Sequence, residues 1–418
     1  MYKIPVTLAD DINYIGKLIN EFNNGTIPAA QFKAIRVPMG IYEQRKDGTY
    51  MVRIRCTGGF ISPQQLKEVA HAAIRGNVPH LHITTRQEIQ MHYVDLSNVK
   101  SILEELKEVE LGTKGGGGNT IRNILVDING GISADEVFDV YPYAVNLTSR
   151  LIAENDSFTM PRKLKIAFDI SEKHAGYALV NDLGFIPKIK NGKRGFKVYL
   201  GGSVASSPTL GWLLFDFLPE EDFLRVAVAA KRFFSANGNR KNRHKARIRH
   251  IFYKLGEEET IRLFNTYFEE AKTDESLEYT PSELAFTTLT PSFSPIEDQS
   301  LAYLTWKKRY TAEQKQEGLY AIQLPFEHGN ASPDVFLKLA DFAAEFGNNV
   351  LRFTTRQNIQ LRNIPKAYLP NVYKLLKNIG VNTEQPFLVN NLISCTGADT
   401  CRLGICLAKG AWIQCQPE

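Results

Sequence analysis

An internal repeat constrains the fold of this chain more than any other feature. Residues 84–90, TTRQEIQ, return 270 positions later as residues 354–360, TTRQNIQ. Without a gap, the same offset also aligns Gly59 with Gly329, Ser62-Pro63 with Ser332-Pro333, Ala70 with Ala340, Ala73 with Ala343 and Leu81 with Leu351. An ungapped register over such a distance is typical of one supersecondary unit that occurs twice.

Each copy has the pattern strand, helix, strand, helix, and the chain is therefore predicted to be α+β. Ser62 and Ser332 are predicted N-caps, because a serine hydroxyl can accept hydrogen bonds from the free amides of a first turn. The prolines that follow them fit the first helical position. In the first copy, hydrophobic spacing predicts strands over 50–56 and 81–94 and helices over 66–74 and 99–106.

The repeat divides the chain into six predicted segments. They are an N-terminal arm over 1–48, the first copy over 49–112, an α+β insert over 113–275, a linker over 276–316, the second copy over 317–384 and a C-terminal segment over 385–418. The arm has one helical pattern, over residues 10–22. The linker is predicted from its Ser, Thr, Pro and Glu content.

The composition is that of an ordinary globular protein: 418 residues, 43% hydrophobic and 23% charged, with a net charge of +5. No segment approaches 18 consecutive apolar residues, and the N-terminus has no basic region followed by an apolar run. We therefore expect a cytoplasmic protein with no membrane partner.

Two predicted strands carry basic residues on one face. Arg53 and Arg55 alternate with apolar residues in YMVRIRC, and Lys163 and Lys165 alternate with Leu164 and Ile166. Two like charges on one face repel each other unless water or an anion lies between them. A half-exposed strand with solvated cations is the alternative. The second copy has Gln323 and Pro325 at the positions of the two arginines, so only the first copy is predicted to face an anion.

Two further stretches indicate close approach to a ligand. The four glycines at 115–118, ahead of Arg122, let the backbone come close to a flat or bulky group, although a flexible hairpin would also explain them. The segment 240–250 is the most basic of the chain. A solvated helix face, nucleic acid or a cofactor with many carboxylates would each fit it. We expect no nucleic acid, because the segment lacks interleaved aromatic residues.

Four of the five cysteines lie in the last 24 residues. In a large cytosolic protein such clustering indicates metal binding more than disulfides. Cys395 and Cys401 are six positions apart with small, turn-forming residues between them, a spacing that favours an iron–sulfur cluster over zinc. Two unrelated buried thiols are the alternative.

Together these motifs resemble those of the sirohaem and [4Fe-4S] enzymes that reduce sulfite or nitrite. The resemblance covers about residues 32–409. It includes the paired TTRQ motifs, Arg53 to Gly59, the sequence TIRN at 120–123, the sequence PRKLK at 161–165, the basic segment that ends in HIFYKLG, and the Cys-x5-Cys pair. It implies two ferredoxin-like half-domains related by a pseudo-twofold axis, each followed by a larger α+β domain that holds sirohaem and the cluster.

The resemblance also implies residue roles. The substrate anion would be held by Arg53, Arg122, Lys163 and Lys165. The sirohaem carboxylates would be bound by Arg86, Gln90, Arg162, Arg247, Arg249, Arg356 and Gln357, and the cluster by Cys395 and Cys401. The electron donor would be a ferredoxin or a flavoprotein.

The residue at position 165 bears on the substrate. Nitrite-reducing members of the family generally have Asn where this chain has Lys165, and sulfite-reducing members have Lys. A second ammonium suits sulfite, which can carry two negative charges. The resemblance therefore favours six-electron reduction of sulfite to sulfide, with nitrite reduction as the alternative.

The chain departs from the family pattern at the cluster. Family members have a second pair, Cys-x3-Cys, downstream of the first, and Cys406 and Cys415 do not match its spacing. From this departure we expect a truncated, inactive form. A non-catalytic tetrapyrrole-binding protein is the alternative from another functional class.

Overall fold

The computed structural model describes residues 2–204, 207–279 and 284–413. The chain forms two compact units. The repeat unit comprises Val6–Thr113 and Ala285–Glu418, and the insert unit comprises Met1–Pro5 and Lys114–Leu284. Both combine helices with sheets, as the predicted α+β class requires.

The first copy of the repeat, with its N-terminal arm, contains four helices and four strands among the described residues. Their bounds are α1 (Leu8–Asn23), α2 (Ala29–Arg36), β1 (Ile41–Glu43), β2 (Thr49–Ile54), α3 (Pro63–Arg75), β3 (Leu81–Ile83), β4 (Ile89–Asp95) and α4 (Val99–Glu108). The strands pair antiparallel in the order β1-β2-β4-β3. Apolar faces of α3 and α4, including Leu66, Val69 and Leu103, are buried.

The insert unit is built around one five-stranded sheet. Its elements are β5 (Leu125–Val126), α5 (Tyr141–Ala153), β6 (Ile166–Phe168), β7 (Leu183–Lys190), β8 (Lys193–Leu200), β9 (Trp212–Pro219), α6 (Phe223–Asn237), α7 (Arg249–Leu255) and α8 (Glu257–Lys272). Strands β5, β6 and β7 are parallel, and β7, β8 and β9 form an antiparallel meander. Phe168, Phe185 and Phe196 pack together in its core.

The second copy repeats the four strands and the last two helices of the first. It contains α9 (Leu301–Tyr310), β10 (Thr311–Glu313), β11 (Leu319–Leu324), β12 (Asn330–Ala331), α10 (Pro333–Ala344), β13 (Leu351–Phe353), β14 (Ile359–Pro365) and α11 (Leu369–Asn378), and is followed by α12 (Gly397–Thr400) and α13 (Ala408–Ile413). Its four-stranded sheet has the order β10-β11-β14-β13. The pairing of Arg53 with Gln90 corresponds to that of Gln323 with Gln360, and both copies have a bulge at the same place.

The two copies contact each other through equivalent positions. β12 pairs with β3, so that Asn330 lies opposite His82, and Phe60 forms the reciprocal bridge with Arg352. Because 60 and 330, like 82 and 352, are equivalent positions, each copy gives the other the same contact. This reciprocity is what a pseudo-twofold relation between the half-domains requires.

Residues 81–94 form a hairpin rather than the single strand predicted. The Thr84 hydroxyl accepts hydrogen bonds from the N–H groups of Arg86 and Glu88, both at 3.1 Å, and Gln87 has a φ of 56°. Thr354, Arg356 and Asn358 repeat these bonds, and Gln357 has a φ of 60°. The repeated TTRQ motif is thus the turn between two strands.

Three other predictions need correction. The strand predicted to carry Lys163 and Lys165 begins only at Ile166, after both lysines. Within the predicted linker, α9 is a packed helix, capped by Ser300 and with Trp306 buried against Tyr373, because its sequence, LAYLTWKKRY, has only one Ser, Thr or Pro residue. Ser62 forms the predicted cap, but Ser332 makes no side-chain cap hydrogen bond. Throughout the described ranges, helices are too short or too polar to cross a bilayer.

Candidate functional site

Arg53 lies on β2 and is held by neighbouring side chains. Its side chain is 19% exposed, and its Nε lies 3.7 Å from Oε2 of Glu88, whose side chain is 1% exposed. The amide group of Gln90 lies 2.7 Å from both Nε and Nη2 of Arg53. The guanidinium also lies 5.7 Å from the ring centroid of Tyr42. Its orientation is therefore fixed by protein contacts.

Arg55 is buried, so it does not lie with Arg53 on a solvated face. It follows the end of β2, its N–H donates to Gly112 O at 2.9 Å, and the residue is 1% exposed. The solvated-cation alternative is wrong for Arg55. The predicted alternation fails here because the chain leaves the strand after Ile54.

In the insert unit, the structure brings Arg122 beside two basic residues that are distant from it in sequence, Lys163 and Lys165. Arg122 N–H donates to Leu164 O at 2.9 Å, and Leu164 N–H donates to Thr120 O at 3.0 Å. This bridge places Arg122 beside the segment that carries Lys163 and Lys165. Leu164 is buried while both lysines are partly exposed, so the predicted alternation of faces holds before the strand begins.

The glycine run folds back onto the same bridge. Thr120 donates its hydroxyl hydrogen to Gly115 O at 2.9 Å and Gly117 O at 2.7 Å, and Arg122 Nη2 donates to Gly116 O at 2.8 Å. The carbonyls of the loop thereby fix Arg122. Arg162, also predicted to bind cofactor, is partly exposed and donates to Asn119 Oδ1 at 3.4 Å.

Asp182, which the sequence analysis did not single out, organises the basic residues of this unit. Its carboxylate accepts hydrogen bonds from Lys165 N–H at 2.8 Å and from Nε and Nη2 of Arg247, both at 2.7 Å. The side chain of Asp182 is 1% exposed. Arg247 thus forms a buried bidentate ion pair, and its partner fixes the backbone at Lys165. A carboxylate ahead of an apolar strand is too common a pattern to have revealed this role.

Arg249 differs from Arg247 because no carboxylate of the described residues forms an ion pair with it. Its Nη1 donates to Ser203 Oγ at 2.5 Å, and its Nε is buried without a hydrogen-bond partner. Burial, and next the positive charge of Arg247, lower the pKa of Arg249. His250 Nε2 is also buried without a partner. Buried donors of this kind fit a ligand that carries carboxylates.

Gln357 holds the segment that contains the first cysteine of the predicted pair. Its Nε2 donates to Ser394 O at 3.0 Å, and its Oε1 accepts from Ser394 N–H at 3.2 Å. His328 Nδ1 lies 2.8 Å from Ser394 Oγ. Gln357 is therefore occupied by the backbone next to Cys395. Of the two TTRQ arginines, Arg86 is partly buried and Arg356 is exposed.

The loop between the cysteines is tied to the first copy. Arg45 N–H donates to Thr400 O at 2.9 Å, and Arg402 Nε donates to Gln44 O at 2.8 Å. Cys395 and Cys406 are exposed, and Cys401 is partly exposed, contrary to the buried-thiol alternative. Cys56 is buried, and burial raises its pKa, so it is a poor metal ligand.

The ligands of a [4Fe-4S] cluster are not assembled in this arrangement. Within residues 2–204, 207–279 and 284–413, no group of three or more His, Cys, Asp or Glu side chains is placed to hold a metal. Cys415 lies outside the described residues. The thiols in the described part of the chain therefore do not fit a complete cluster site.

Comparison with known proteins connects both units to one family. Residues 117–272 match the nitrite and sulphite reductase 4Fe-4S domain, and residues 42–109 and 312–379 match the nitrite/sulfite reductase ferredoxin-like half domain. The two half-domain matches are offset by the same distance as the repeat. The first match begins inside β1 and the second begins inside β10. Each half-domain therefore includes a strand that was predicted to lie outside the repeat.

Relatives include enzymes named for either substrate. The chain is 28% identical to a ferredoxin–nitrite reductase of Synechococcus elongatus, over 87% of this chain and 68% of that protein. It is 28% identical to the chloroplastic enzyme of Spinacia oleracea, over 91% and 63%. It is 27% identical to sulfite reductase [ferredoxin] 2 of Mycolicibacterium paratuberculosis, over 87% and 65%. The chain thus spans about two thirds of the length of these relatives.

Among solved structures, the NirA protein of Mycobacterium tuberculosis has the same fold. It superposes with a TM-score of 0.77 at 22% identity, over 98% of this chain and 76% of that one. Both half-domains and the insert thereby agree with one known architecture. The chain belongs to the sirohaem and [4Fe-4S] nitrite and sulfite reductase family.

Proposed function

We propose that this chain forms part of an enzyme that reduces sulfite to sulfide by six electrons. Lys165 carries the proposal. Its side chain is partly exposed, as is that of Lys163 two positions earlier, and Asp182 fixes its backbone. Two ammonium groups at this place favour an anion that can carry two charges over nitrite, which carries one.

In the proposed reaction, the chain's own residues bind the oxyanion and manage its protons. Arg53, Arg122, Lys163 and Lys165 are the cations that hold its oxygens, and each oxygen leaves as water after protonation. Sirohaem bound by the basic residues would supply the iron centre and the electrons that the reduction needs. Arg122 is suited to positioning because its guanidinium is fixed by a loop carbonyl.

For sirohaem binding, the contacts support some of the predicted residues more than others. Arg249 has a buried Nε without a hydrogen-bond partner, so we assign it to a carboxylate, and Arg162 keeps its proposed role. Arg86 and Arg356 keep that proposed role. Arg247 and Gln357 instead support the site from behind, because Asp182 and Ser394 occupy them.

We propose that these 418 residues do not reduce sulfite by themselves. A four-iron cluster needs four ligands, and Cys395 and Cys401 supply two. Electrons would come from a ferredoxin or a flavoprotein once the remaining thiolates are provided. An absorption spectrum with iron and acid-labile sulfide analysis of the purified chain tests this: sirohaem bands at full iron and sulfide content would contradict it.

The choice of substrate is tested by Lys165→Asn in the complete enzyme, in which the remaining cluster thiolates and both cofactors are present. We expect the ratio of sulfite turnover to nitrite turnover to fall about tenfold or more, because one charge-assisted contact to the dianion is lost. Lys163→Asn is the matched control and should lower both activities. A wild-type protein that prefers nitrite would establish the alternative, nitrite reduction. Binding of sirohaem with no turnover of either anion in the complete enzyme would favour a non-catalytic tetrapyrrole-binding protein.

A further inference from the structure

A chain of polar side chains runs behind Arg53 in the first copy. Tyr93 N–H donates to Gln44 Oε1 at 2.6 Å, and Gln44 Nε2 lies 3.0 Å from His92 Nδ1. His92 Nε2 lies 3.0 Å from the amide of Gln90, whose other end lies 2.7 Å from Arg53. Gln44, His92 and Gln90 are each at most 4% exposed, so bulk water cannot replace these contacts.

This row of hydrogen-bonded side chains cannot satisfy all its hydrogen bonds internally. Each amide, and the neutral imidazole of His92, has one donating end and one accepting end along the path. The backbone N–H of Tyr93 and the guanidinium of Arg53, at the two ends, are both donors. Whichever way the three groups between them point, one contact must bring two donors together.

A charged imidazole would worsen the conflict. Burial, and next the charges of His82 and His80, hold the pKa of His92 well below its usual value. His92 is therefore neutral near neutral pH. An imidazolium would donate at both nitrogens and force a second pair of donors into contact.

The second copy has no such conflict at its corresponding end. Arg362, at the position of His92, donates from Nε at 3.1 Å and from Nη2 at 2.6 Å to Gln360 Oε1. The position of Arg53 is taken by Gln323, which lies opposite Gln360 in the sheet. Gln323 has an amide oxygen that can accept a hydrogen bond, and its Nε2 donates to Asn391 Oδ1 at 2.6 Å.

We propose that an anionic oxygen binds to Arg53 and Gln90 together and reverses the direction of this hydrogen-bond chain. With the anion bound, the amide nitrogen of Gln90 donates to it beside Arg53, and His92 donates from Nε2 to the oxygen of Gln90. Without it, the oxygen of Gln90 accepts from Arg53, the proton of His92 is on Nδ1, and the unavoidable pair of donors is His92 Nδ1–H and Gln44 Nε2, which lie 3.0 Å apart. The inference rests on the proposed function for Arg53 and makes Gln90 and His92 positioning residues for the anion.

The tautomer of the His92 imidazole shows directly which way the hydrogen-bond chain runs. The test uses the 418-residue chain labelled with ¹⁵N-histidine, in which long-range ¹H–¹⁵N spectra distinguish the two tautomers, and His92→Gln assigns the signal. Without any anion, we expect the Nδ1–H tautomer in the wild type and the Nε2–H tautomer in Arg53→Gln, which reproduces the second copy. Gln323→Leu, at the matched position, should leave His92 unchanged.

Two additions identify the source of the oxygen. Sulfite alone should convert the wild-type His92 to the Nε2–H tautomer if the oxygen belongs to the substrate. An octacarboxylate porphyrin alone should do so if it belongs to the cofactor. The same tautomer in wild type and Arg53→Gln, or no conversion by either addition, would overturn the inference. Because the measurement needs no turnover, failure of the proposed function would leave the tautomer result intact.

Discussion

The two copies of the repeat share the pairings of their four equivalent strands, yet the cations of these strands lie at different positions. In the first copy the cation is Arg53 on β2, and positions 82 and 92 on β3 and β4 are histidines. In the second copy the β11 position is Gln323, and Arg352 and Arg362 occupy β13 and β14. In the first copy the permanent charge thus lies on β2 and the neutral groups on β3 and β4. In the second copy the neutral group lies on β11 and the permanent charges on β13 and β14.

Electrostatics explains why the charged positions of one copy are neutral in the other. A permanent charge at position 92 would face Arg53 across Gln90 in a buried setting, where like charges repel strongly. Neutral histidines avoid this repulsion. The comparison teaches that the backbone of a duplicated unit is held constant while the charges on its faces differ, and that the second copy uses its polar groups to hold the chain itself, as Gln357 holds Ser394.

The largest predicted loss of stability is at one pair of equivalent glycines, where a side chain would clash with the backbone of the other copy. A Cβ at Gly59 would lie 2.2 Å from Phe353 O, and one at Gly329 would lie 2.7 Å from Ile83 O; both residues have positive φ. We expect Gly59→Ala to lower the free energy of unfolding by about 3–4 kcal/mol and Gly329→Ala by about 2–3 kcal/mol. Urea denaturation measures both.

Gly48→Ala and Gly318→Ala are the matched controls for this prediction. They have nearly the same positive φ, 73° and 74°, but nothing lies within 4 Å of the added Cβ. They should cost only about 1 kcal/mol each, from backbone strain alone. A cost at Gly59 no larger than at Gly48 would show that the close approach between copies is unimportant.

The histidines of the first copy should make stability depend on pH. Burial lowers the pKa of His82 to about 4, although Asn330 opposes this. The unfolded chain then takes up a proton near pH 6.5 and the folded chain does not, so stability falls as the pH falls from 6.5 to 4. We expect His82→Gln to remove about 3 kcal/mol of this loss at pH 4.

Arg352→Gln sharpens the same comparison, because Arg352 occupies the equivalent position and stays charged throughout this pH range. It should change the free energy of unfolding by a similar amount at every pH from 4 to 7. Equal pH dependence in wild type and His82→Gln would mean that His82 contributes nothing, leaving His92 and His80, whose pKa values burial also lowers, as the source.

The smallest expected difference concerns the helix caps. Ser62 Oγ accepts from Gln65 N–H, and Gln65 Oε1 accepts from Ser62 N–H, whereas Ser332 has no such bonds. Ser62→Ala should cost about 1 kcal/mol and Ser332→Ala close to nothing. Thermal denaturation of the two variants measures this, and equal costs would contradict it.

The sequence alone supported many of these features. The ungapped repeat predicted two half-domains, and alternation in PRKLK predicted a common face for Lys163 and Lys165. The hairpin was missed because apolar residues at 81–83 and 89–94 have the period of one long strand, and only the turn at Gln87 separates them. The role of Asp182 was missed because its partners, Lys165 and Arg247, are 17 and 65 positions away.

What the sequence determined by itself is the backbone plan: the duplicated unit, its glycines and the segments that carry basic residues. These features follow from local conformational preference and from periodicity, which are written in neighbouring residues. The tertiary structure decided which polar group each cation contacts, so that Arg247 pairs with Asp182, Gln357 holds Ser394 and Arg53 meets Gln90. That choice depends on distance and burial between remote residues, and no local pattern encodes it.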